Sequence, residues 1–536
     1  MTLPRPAPSA ALSCLLSGGA ALLAVLLAVL LAGCSPDPPR PNLLIVSFDT
    51  LRADRLGAYG NHEWDATTSP AVDALGARGT LFEHCLAPRG QTHPSLGALL
   101  TGKYPITTGL RENALTLLPE HKTLIQLLGR AGWITGVFVA NFDKDSTFDD
   151  WVFRGADSKA DGFGGRRDEQ VGGPSAESRF QKAWDDRVER AALDFLDARA
   201  AGGAAGKPFA AWVHFYDIHK PYNPPAEYAA YGLSPEVPEV LRAPGPDSGQ
   251  ALEDYLAEIT LTERPVSAAE LRRIVGLYDG GVSATDARLG RLLDKLEALG
   301  LAPSTLVVFT ADHGDELFEH QRYFFHGNSV YQGTLHVPLV VAGPGVPAGA
   351  RLPALVQNVD VAPTVLELLG VPVPGDMEGR SLAGLLRGTS TEPPRPYAFI
   401  EWQDVLYAVC DGTRSYVHNP NHAHLLKEPF TPPKGQRATR GFAIDCFEGY
   451  DLAADPHEQH NLLAGLDAAG LASGEALPPE FASMRKALLK WLAEPQHERQ
   501  MSWPGLSDQA MERMRQLGYV SGGQDRPDVL FQEPCK

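Results

Sequence analysis

Four side chains able to bind a metal ion or attack an ester lie at the ends of predicted strands or at the start of a predicted helix. Asp49 comes directly after one apolar run, and Asp312 and His313 come directly after another. Thr92 begins a stretch with helical spacing. Ligands of open α/β sheets gather beyond the carboxyl ends of the strands, so we expect these four side chains to lie together.

Such a set would hold one divalent metal ion. The imidazole favours zinc or manganese, whereas a shell of oxygen ligands alone would suit calcium or magnesium. A free threonine hydroxyl is a poor nucleophile near neutral pH, and coordination by a metal ion favours its alkoxide. A helix that begins at Thr92 would also favour an anionic oxygen at its N-terminus.

The elements that must position these side chains alternate between strands and helices. Apolar runs predict strands at residues 42–47, 134–140, 209–215, 306–310 and 337–341. Helical spacing predicts helices at residues 71–78, 123–130, 179–199, 268–299 and 360–369. This alternation predicts an α/β fold with a doubly wound, mostly parallel sheet over residues 42–390.

After about residue 390 the pattern changes. Short strand-like runs at 397–401, 406–409 and 414–417, with a final helix near 484–492, predict a smaller C-terminal α+β domain and tail over residues 391–536. Two polar stretches of the larger domain carry weaker signals. Residues 145–178 are Gly-rich and predict a surface insertion, and residues 235–266 are Pro-rich and acidic and predict a long loop or lid.

The N-terminus has the pattern of a targeting segment. Arg5 precedes an apolar run at residues 20–32 that is too short to span a bilayer comfortably. The run ends in Leu-Ala-Gly-Cys at Cys34, which resembles a bacterial lipobox. The resemblance implies a signal peptide at residues 1–33, lipidation of Cys34, a Pro-rich tether at residues 34–41 and attachment on the periplasmic side of the cell envelope. Ser35 favours the outer membrane; the alternatives are an uncleaved anchor helix and ordinary secretion.

The net charge limits the kinds of binding partner that we expect, and the cysteines limit the possible disulfides. The net charge of 47 − 65 = −18 argues against nucleic acid and against electrostatic docking on anionic lipid, which leaves the lipid anchor as the contact with the membrane. Beyond Cys34, the candidates for disulfides in an oxidising compartment are Cys85, Cys410, Cys446 and Cys535. Cys410 and Cys446 both lie in strand-like stretches and could pair, although spacing alone does not fix the connectivity.

Residues 92–105, Thr-His-Pro-Ser-Leu-Gly-Ala-Leu-Leu-Thr-Gly-Lys-Tyr-Pro, resemble the nucleophile box of the sulfatases, which belong to the alkaline phosphatase superfamily. Pro94, Ser95, Thr101 and Gly102 match that pattern. Further segments at residues 41–60, 309–314, 360–382 and 450–462 extend the resemblance over nearly the whole mature chain. The resemblance implies an alkaline phosphatase-like fold, a metal ion on Asp49, Asp312, His313 and Thr92, and ester hydrolysis.

The departures from the sulfatase pattern concern the nucleophile. Thr92 stands where sulfatases carry the Cys or Ser that is oxidised to formylglycine, and Leu96 replaces the arginine of the box. Thr50 replaces a second aspartate, and the family's Lys-Trp-His element is absent near residues 139–143. Thr92 instead resembles the direct threonine nucleophile of phosphoethanolamine transferases and nucleotide pyrophosphatases.

The resemblance also implies substrate contacts. His219 and His326 occupy positions where relatives contact the transferred group or the leaving group, and Asn113 is a candidate donor to a substrate oxygen. Each of the three has a structural alternative, as a packed histidine or a turn residue. Thr92 has the alternative of a plain helix N-cap, and Thr50 is either a support of the site or a bystander. We expect three other histidines to be structural or solvated: His93, His214 and His320.

The sequence therefore predicts a metal-dependent hydrolase of phosphate, phosphodiester or sulfate esters with Thr92 as direct nucleophile. The missing formylglycine precursor favours phosphate esters. The alternatives are a formylglycine-independent sulfuric ester hydrolase, a transferase that passes the phospho group to an envelope lipid or glycan, and a catalytically silent lipoprotein that binds anionic glycans.

Overall fold

The computed structural model describes residues 40–113, 115–140, 149–161, 183–202, 206–242, 248–262, 264–320, 324, 326–327, 329–402, 406–419 and 445–497. The described residues from 41 to 497 belong to one compact unit. The predicted signal peptide, Cys34 and nearly all of the tether lie outside the described residues. Within the described ranges, no helix combines the length and the apolarity that crossing a bilayer requires.

The larger sheet has eight strands in the order β4-β3-β5-β1-β6-β7-β2-β8. They are β1 Asn42–Phe48, β2 Thr80–Leu86, β3 Ile134–Val139, β4 Ser158–Asp161, β5 Phe209–Phe215, β6 Thr305–Ala311, β7 His336–Ala342 and β8 Ala350–Gln357. Only the pairs made by β7 are antiparallel. The central strands β1, β5 and β6 are buried along their whole length, as expected for strands covered on both faces. The mostly parallel α/β sheet predicted from the sequence is confirmed.

Helices surround this sheet. Their bounds are α1 Pro70–Arg78, α2 Thr92–Thr101, α3 Pro105–Thr108, α4 Leu124–Arg130, α5 Asp149–Val152, α6 Ala183–Ala200, α7 Glu239–Arg242, α8 Gly249–Thr262, α9 Ala268–Ala298, α10 Gln332–Leu335, α11 Val361–Leu368, α12 Ala383–Leu386, α13 Ala468–Ser473 and α14 Pro479–Leu492. A capping box of Ser267 and Glu270 begins α9, the longest of them. Its predicted apolar stripe is buried at Leu289, Leu292 and Leu296.

The smaller sheet is antiparallel, with the order β12-β11-β10-β9. Its strands are β9 Ala398–Trp402, β10 Leu406–Cys410, β11 Arg414–His418 and β12 Phe447–Asp451. Three of them were predicted, and β12 was not. The final helix α14 packs on this sheet through Phe481, Met484 and Leu488. The predicted smaller antiparallel region is therefore confirmed in its architecture.

Two predictions for polar stretches were wrong over the residues that the structure describes, and residues 145–148 and 162–178 of the first stretch lie outside them. Within the proposed surface insertion, Trp151 is fully buried and β4 extends the main sheet by pairing with β3. Within the proposed loop at residues 235–266, the chain forms α7 and α8, which bury Leu241, Leu252 and Ile259. In both stretches a few apolar residues lie among many polar ones. Their burial against the core stabilises regular structure where the overall composition indicated a loop.

The suggested pairing of Cys410 with Cys446 was also wrong. Cys410 is a free, buried thiol, whereas Cys446 is disulfide-bonded. Cys410 lies on β10 and Cys446 directly precedes β12, so β11 separates the two. Two strand spacings amount to roughly 10 Å, and a disulfide joins Cα atoms about 5–6 Å apart.

Candidate active site

The candidate site lies at the carboxyl ends of three adjacent strands, β5, β1 and β6. Asp49 directly follows β1, and Asp312 directly follows β6. His214 is the penultimate residue of β5, in register with Ser47 of β1. Because these strands are parallel neighbours, their ends bring the three side chains to one edge of the sheet.

Asp49, His214 and Asp312 form a cluster in which one ligand atom from each lies within 4.8 Å of the others. The three side chains are at most 1% exposed. Asp49 Oδ1, Asp312 Oδ2 and His214 Nε2 are buried without a hydrogen-bond partner. Burial, and secondly the charge of Asp312, raises the pKa of Asp49 well above its usual range. Buried carboxylate oxygens without donors are unfavourable, and a cation would satisfy them.

Thr92 is the first residue of α2 and reaches the same cluster. The N-cap position belongs to Gln91, so Thr92 is not a plain N-cap. Thr92 Oγ1 lies 3.3 Å from His313 Nε2. His313 Nδ1 donates to the carbonyl of Gly314 at 2.8 Å, which leaves a lone pair on Nε2.

Three pairs of donor atoms are spaced like neighbouring ligands of one metal ion. Thr92 Oγ1 to His313 Nε2 is 3.3 Å, His313 Nε2 to Asp312 Oδ2 is 3.4 Å, and His214 Nε2 to Asp49 Oδ2 is 3.5 Å. In a tetrahedral zinc site, with bonds of about 2.0–2.2 Å, neighbouring donors are roughly 3.4 Å apart. All four residues of the predicted ligand set thus lie together, and His214 joins them.

Backbone amides hold Asp312 in place. Its Oδ1 accepts from the amide of Thr50 at 3.1 Å and from the amide of His313 at 2.7 Å, so Oδ2 remains for the cluster. Thr50 has φ 55°, a strained left-handed conformation for a β-branched residue. Tyr278 stabilises it by donating its hydroxyl to the carbonyl of Thr50 at 2.6 Å. Thr50 therefore supports the cluster through its backbone.

The nucleophile box is tied to the end of β6 by side chains that the sequence did not single out for that role. Ser95 Oγ donates to the carbonyl of Asp312 at 2.6 Å, and Asn358 Nδ2 donates to the same carbonyl at 3.1 Å. Leu96, at the position of the family arginine, is fully buried in the main core. The box thus contributes packing and a strand anchor here, without a cation at position 96.

His219 and His326 lie beside His313. The ring centroids of His313 and His326 are 4.5 Å apart, and those of His326 and His219 are 4.8 Å apart. His219 Nδ1 donates to the carbonyl of Lys220 at 2.7 Å, and His326 Nδ1 lies 3.5 Å from Asp315 Oδ1. Burial lowers the pKa of both His219 and His326 well below its ordinary value, so both are neutral near pH 7 in the protein alone.

Asn113 contacts the helix that carries Thr92. Its Oδ1 accepts from the amide of His93 at 3.0 Å, in the first turn of α2. The carboxamide oxygen is therefore engaged, and only its amide group remains to donate to a substrate. Burial lowers the pKa of His93 to about 3. His320 lies apart from this cluster, between Glu316 Oε2 and the carbonyl of Glu458.

His214 is the ligand candidate that the sequence prediction missed. The signal was present, because His214 is the only polar residue of an otherwise apolar buried strand, Phe-Ala-Ala-Trp-Val-His-Phe. A polar residue near the carboxyl end of such a strand lies close to where ligands bind. The pairing of β5 with β1, which apolar patterns do not specify, places His214 next to Asp49.

Comparisons with known proteins agree with this architecture. A family model described as Sulfatase matches residues 41–371. The N-acetylglucosamine-6-O-sulfatase of Bacteroides thetaiotaomicron is 25% identical over 559 residues, covering 91% of this chain and 92% of that protein. The choline-sulfatase of Rhizobium meliloti is 26% identical over 450 residues, covering 79% of this chain and 82% of that protein.

Solved structures show the same fold. A protein in complex with its substrate, D-glucosamine-2-N,6-O-disulfate, superposes with a TM-score of 0.62 at 20% identity, covering 86% of this chain and all of that one. The phosphonate monoester hydrolase of Agrobacterium radiobacter superposes with a TM-score of 0.59 at 22% identity, covering 84% of this chain and 96% of that one.

Proposed function

Because the chain belongs to the sulfatase family and is an ester hydrolase of the alkaline phosphatase superfamily, we propose that it cleaves anionic esters with Thr92 as its direct nucleophile. One observation carries this proposal. The Thr92 hydroxyl lies at the N-terminus of a buried helix, 3.3 Å from a histidine that is itself 3.4 Å from Asp312. Threonine is not a precursor of formylglycine, so the hydroxyl itself is the attacking group.

Asp49, Asp312, His313 and the newly found His214 would hold one divalent ion next to Thr92. The two imidazoles favour zinc or manganese over calcium and magnesium. When bound, such an ion favours the alkoxide of Thr92 and neutralises charge on the ester. These four side chains are at most 1% exposed, so an ion held by them would be shielded from bulk water on the side that faces the protein core.

The remaining chemistry belongs to the side chains. Thr92 Oγ loses its proton and forms a bond to phosphorus or sulfur as the bond to the leaving oxygen breaks, and the leaving oxygen takes up that proton and departs as the alcohol. In the first turn of α2 the His93 amide donates to Asn113 and Pro94 has no N–H, so the amide of Thr92 is the group that would bind a non-bridging oxygen. Water then cleaves the Thr92 ester and restores the hydroxyl. His219 and His326, which lie beside His313, would contact the transferred group or the leaving oxygen.

We propose phosphodiesters or phosphonate monoesters as substrates, in keeping with the similar fold of a phosphonate monoester hydrolase. The second candidate is a sulfate ester. The names of the relatives favour it, since they include an N-acetylglucosamine-6-O-sulfatase and a protein that binds a disulfated glucosamine. Both candidates present an anionic ester to the same cluster.

The test is a panel of 4-nitrophenyl esters (phosphate, phosphodiester, phosphonate and sulfate) with purified protein. We expect phosphodiester or phosphonate turnover to fall by about 10³-fold or more in Thr92→Ala, because the nucleophile is lost. Thr101→Ala is the control, since it removes a buried hydroxyl at the other end of the same helix, which donates to the carbonyl of Gly97 and accepts from the amide of Lys103. Mass spectrometry of quenched reactions should find a phosphorylated Thr92 peptide.

The outcomes separate the alternatives. Turnover that survives Thr92→Ala would overturn the direct nucleophile. Faster sulfate turnover that is lost in Thr92→Ala would keep the mechanism and change the substrate. Alcohol release without release of free phosphate would indicate transfer to an acceptor, and no turnover with any metal ion would indicate a silent binding protein.

We also propose that the protein is a lipoprotein of the bacterial envelope. The lipobox-like Leu-Ala-Gly-Cys sequence supports lipidation of Cys34 and removal of the preceding segment. Radiolabelled palmitate should label the full-length chain in cells, and Cys34→Ser should abolish the label. An unlabelled wild-type chain in the membrane fraction would instead indicate an uncleaved anchor helix, and an unlabelled chain in the soluble fraction would indicate secretion.

A further inference from the structure

A second buried polar cluster lies immediately before Thr92 in the sequence. Arg89 Nε donates to Gln91 Oε1 at 2.7 Å, and Arg89 Nη2 donates to Glu112 Oε1 at 2.7 Å. Gln91 Nε2 donates to the other carboxylate oxygen of Glu112 at 3.0 Å. Arg89 is fully buried, and Gln91 and Glu112 are 3% and 6% exposed. The three side chains close a buried ring of hydrogen bonds.

The smaller sheet completes this cluster. Glu401 of β9 accepts from Arg89 Nη1 at 3.2 Å and from Arg111 Nε at 3.2 Å. Burial alone would raise the pKa of Glu401, but Arg111 and Arg89 lower it, so the carboxylate is ionised. Two guanidinium groups therefore balance two carboxylates. We call Arg89, Gln91, Arg111, Glu112 and Glu401 the Arg89 network.

The network contacts both sides of the proposed catalytic group. Gln91 is the N-cap residue of α2 and directly precedes Thr92. The side chain of Gln91 also packs against Gly327, the residue after His326. A Cβ at Gly327 would lie 3.2 Å from Gln91 Cγ, and Gly327 has a φ of +96°. The network thus fixes the backbone next to Thr92 and the backbone next to His326.

We propose that Glu401 and Arg89 are positioning residues for the reaction, through which the smaller sheet sets the orientation of Thr92 relative to His326. This inference rests on the proposed role of Thr92 as nucleophile. Paired charges in a buried site hold a fixed geometry, because the planar guanidinium has defined hydrogen-bond directions. An in-line attack is sensitive to that geometry, and a displacement of 1 Å can cost about 100-fold in rate.

Two variants with a matched control test the proposal. Arg89→Lys keeps the charge and removes the forked geometry, and Glu401→Gln keeps the shape and removes the charge. Arg273→Lys is the control, because Arg273 is also fully buried but donates only to backbone carbonyls of residues 229, 231, 241 and 242, away from Thr92. The protein is the full chain in the metal-loaded form that is active on the ester panel.

We expect Arg89→Lys and Glu401→Gln to lower kcat by about 10- to 100-fold with KM changed by no more than about threefold, since substrate contacts are intact. Arg273→Lys should lower the melting temperature and leave kcat unchanged. If all three variants lose only stability, with kcat as in the wild type, the network has a structural role and the proposal is overturned.

A third variant covers the case in which a charge change prevents folding. Gln91→Met leaves all four charges in place and removes only the hydrogen bonds that reach the helix cap. It should lower kcat in the same direction, and an unchanged kcat would contradict the proposal. Activity that survives Thr92→Ala would overturn the nucleophile itself. Loss of activity in Thr92→Ala with normal kcat in the network variants would overturn only the positioning role.

Discussion

Two buried polar clusters flank Thr92, and they differ in how their charges are satisfied. In the Arg89 network, two arginines and two glutamates pair within hydrogen-bond distance. In the cluster at the strand ends, Asp49 and Asp312 face each other across a space in which Asp49 Oδ1 and Asp312 Oδ2 have no donor. The charges of the first cluster are paired within the protein, whereas a cation would satisfy the unpaired carboxylate oxygens of the second.

This difference indicates that the Arg89 network holds other groups in position, whereas the cluster at the strand ends can bind a ligand. Burying an unpaired carboxylate is strongly unfavourable, so a fold keeps one where a ligand restores the balance. A fully paired network cannot accept a ligand without losing its own bonds. Thr92 lies between the two clusters. Its hydroxyl contacts His313 at the ligand site, and the residue before it, Gln91, belongs to the Arg89 network.

Metal removal should have the largest effect, because it acts on the unsatisfied cluster alone. Dialysis against a chelator should abolish ester turnover, and zinc or manganese should restore it. A tight ligand also stabilises the fold, by about 2.7 kcal/mol at a metal concentration 100-fold above the dissociation constant. Calorimetry with and without metal measures this shift. Asp312→Asn should lose the shift, and an equal shift in Asp312→Asn would place the ion elsewhere.

Removing one charge from each cluster should change stability in opposite directions. In metal-free protein, Asp49→Asn should raise the free energy of unfolding by about 1–2 kcal/mol, since it relieves repulsion between two buried carboxylates. Glu401→Gln should lower it by about 3–5 kcal/mol, since it leaves buried guanidinium groups undercompensated. Urea unfolding of both variants measures the two values. A loss of similar size in both would remove the distinction between the clusters.

Ser47 provides a smaller test of the ligand site. Its Oγ lies 2.9 Å from His214 Nδ1 and accepts from Trp212 Nε1 at 2.9 Å, so it orients the imidazole without joining the cluster. Loss of such a contact typically weakens metal affinity about 10- to 100-fold. Ser47→Ala should show this in a zinc titration followed by calorimetry. Thr135→Ala, at another buried strand hydroxyl, should leave the affinity unchanged.

The sequence predicted those parts of the molecule that depend on local pattern. Apolar runs predicted β1 and β6, and with them the places where Asp49 and Asp312 emerge. The strands β2 and β8 were missed because β2 carries Glu83 and His84 at a register shift and β8, at the edge of the sheet, has Arg351 and Pro353 at its exposed positions. Their partners in the sheet, and not their own patterns, make them strands.

In the candidate site, too, the residues placed by local sequence pattern were predicted and those placed by long-range pairing were not. Thr92 and His313 lie where the box and the strand end indicated, and the structure brings them within 3.3 Å. His214 and Glu401 were missed for one reason. Each reaches the site through a long-range pairing, β5 beside β1 in one case and β9 against Arg89 in the other. Sequence spacing carries little information about such pairings, whereas it carries much about strand ends.

Protonation of a buried histidine should have the smallest effect on stability. It tests a third case beside the paired and the unpaired charges, a polar group that is buried in its neutral form. Burial, together with Arg485, lowers the pKa of His418 in the smaller sheet to about 4. In the unfolded chain a histidine titrates near 6.5, so between these values the unfolded state binds the extra proton. Stability from this group is present above pH 6.5 and is lost as the pH falls, by about 2 kcal/mol at pH 5.

His418→Gln should therefore reduce the loss of unfolding free energy between pH 7 and pH 5, measured by urea titration at each pH. His62→Gln, at an exposed histidine, should retain the full loss. Arg111 and Arg89 lower the pKa of Glu401, so this carboxylate keeps its charge over the range and Glu401→Gln should shift the whole profile downward without changing its slope. A slope that changes in Glu401→Gln but not in His418→Gln would mean that the paired network, rather than the neutral histidine, takes up protons near pH 5.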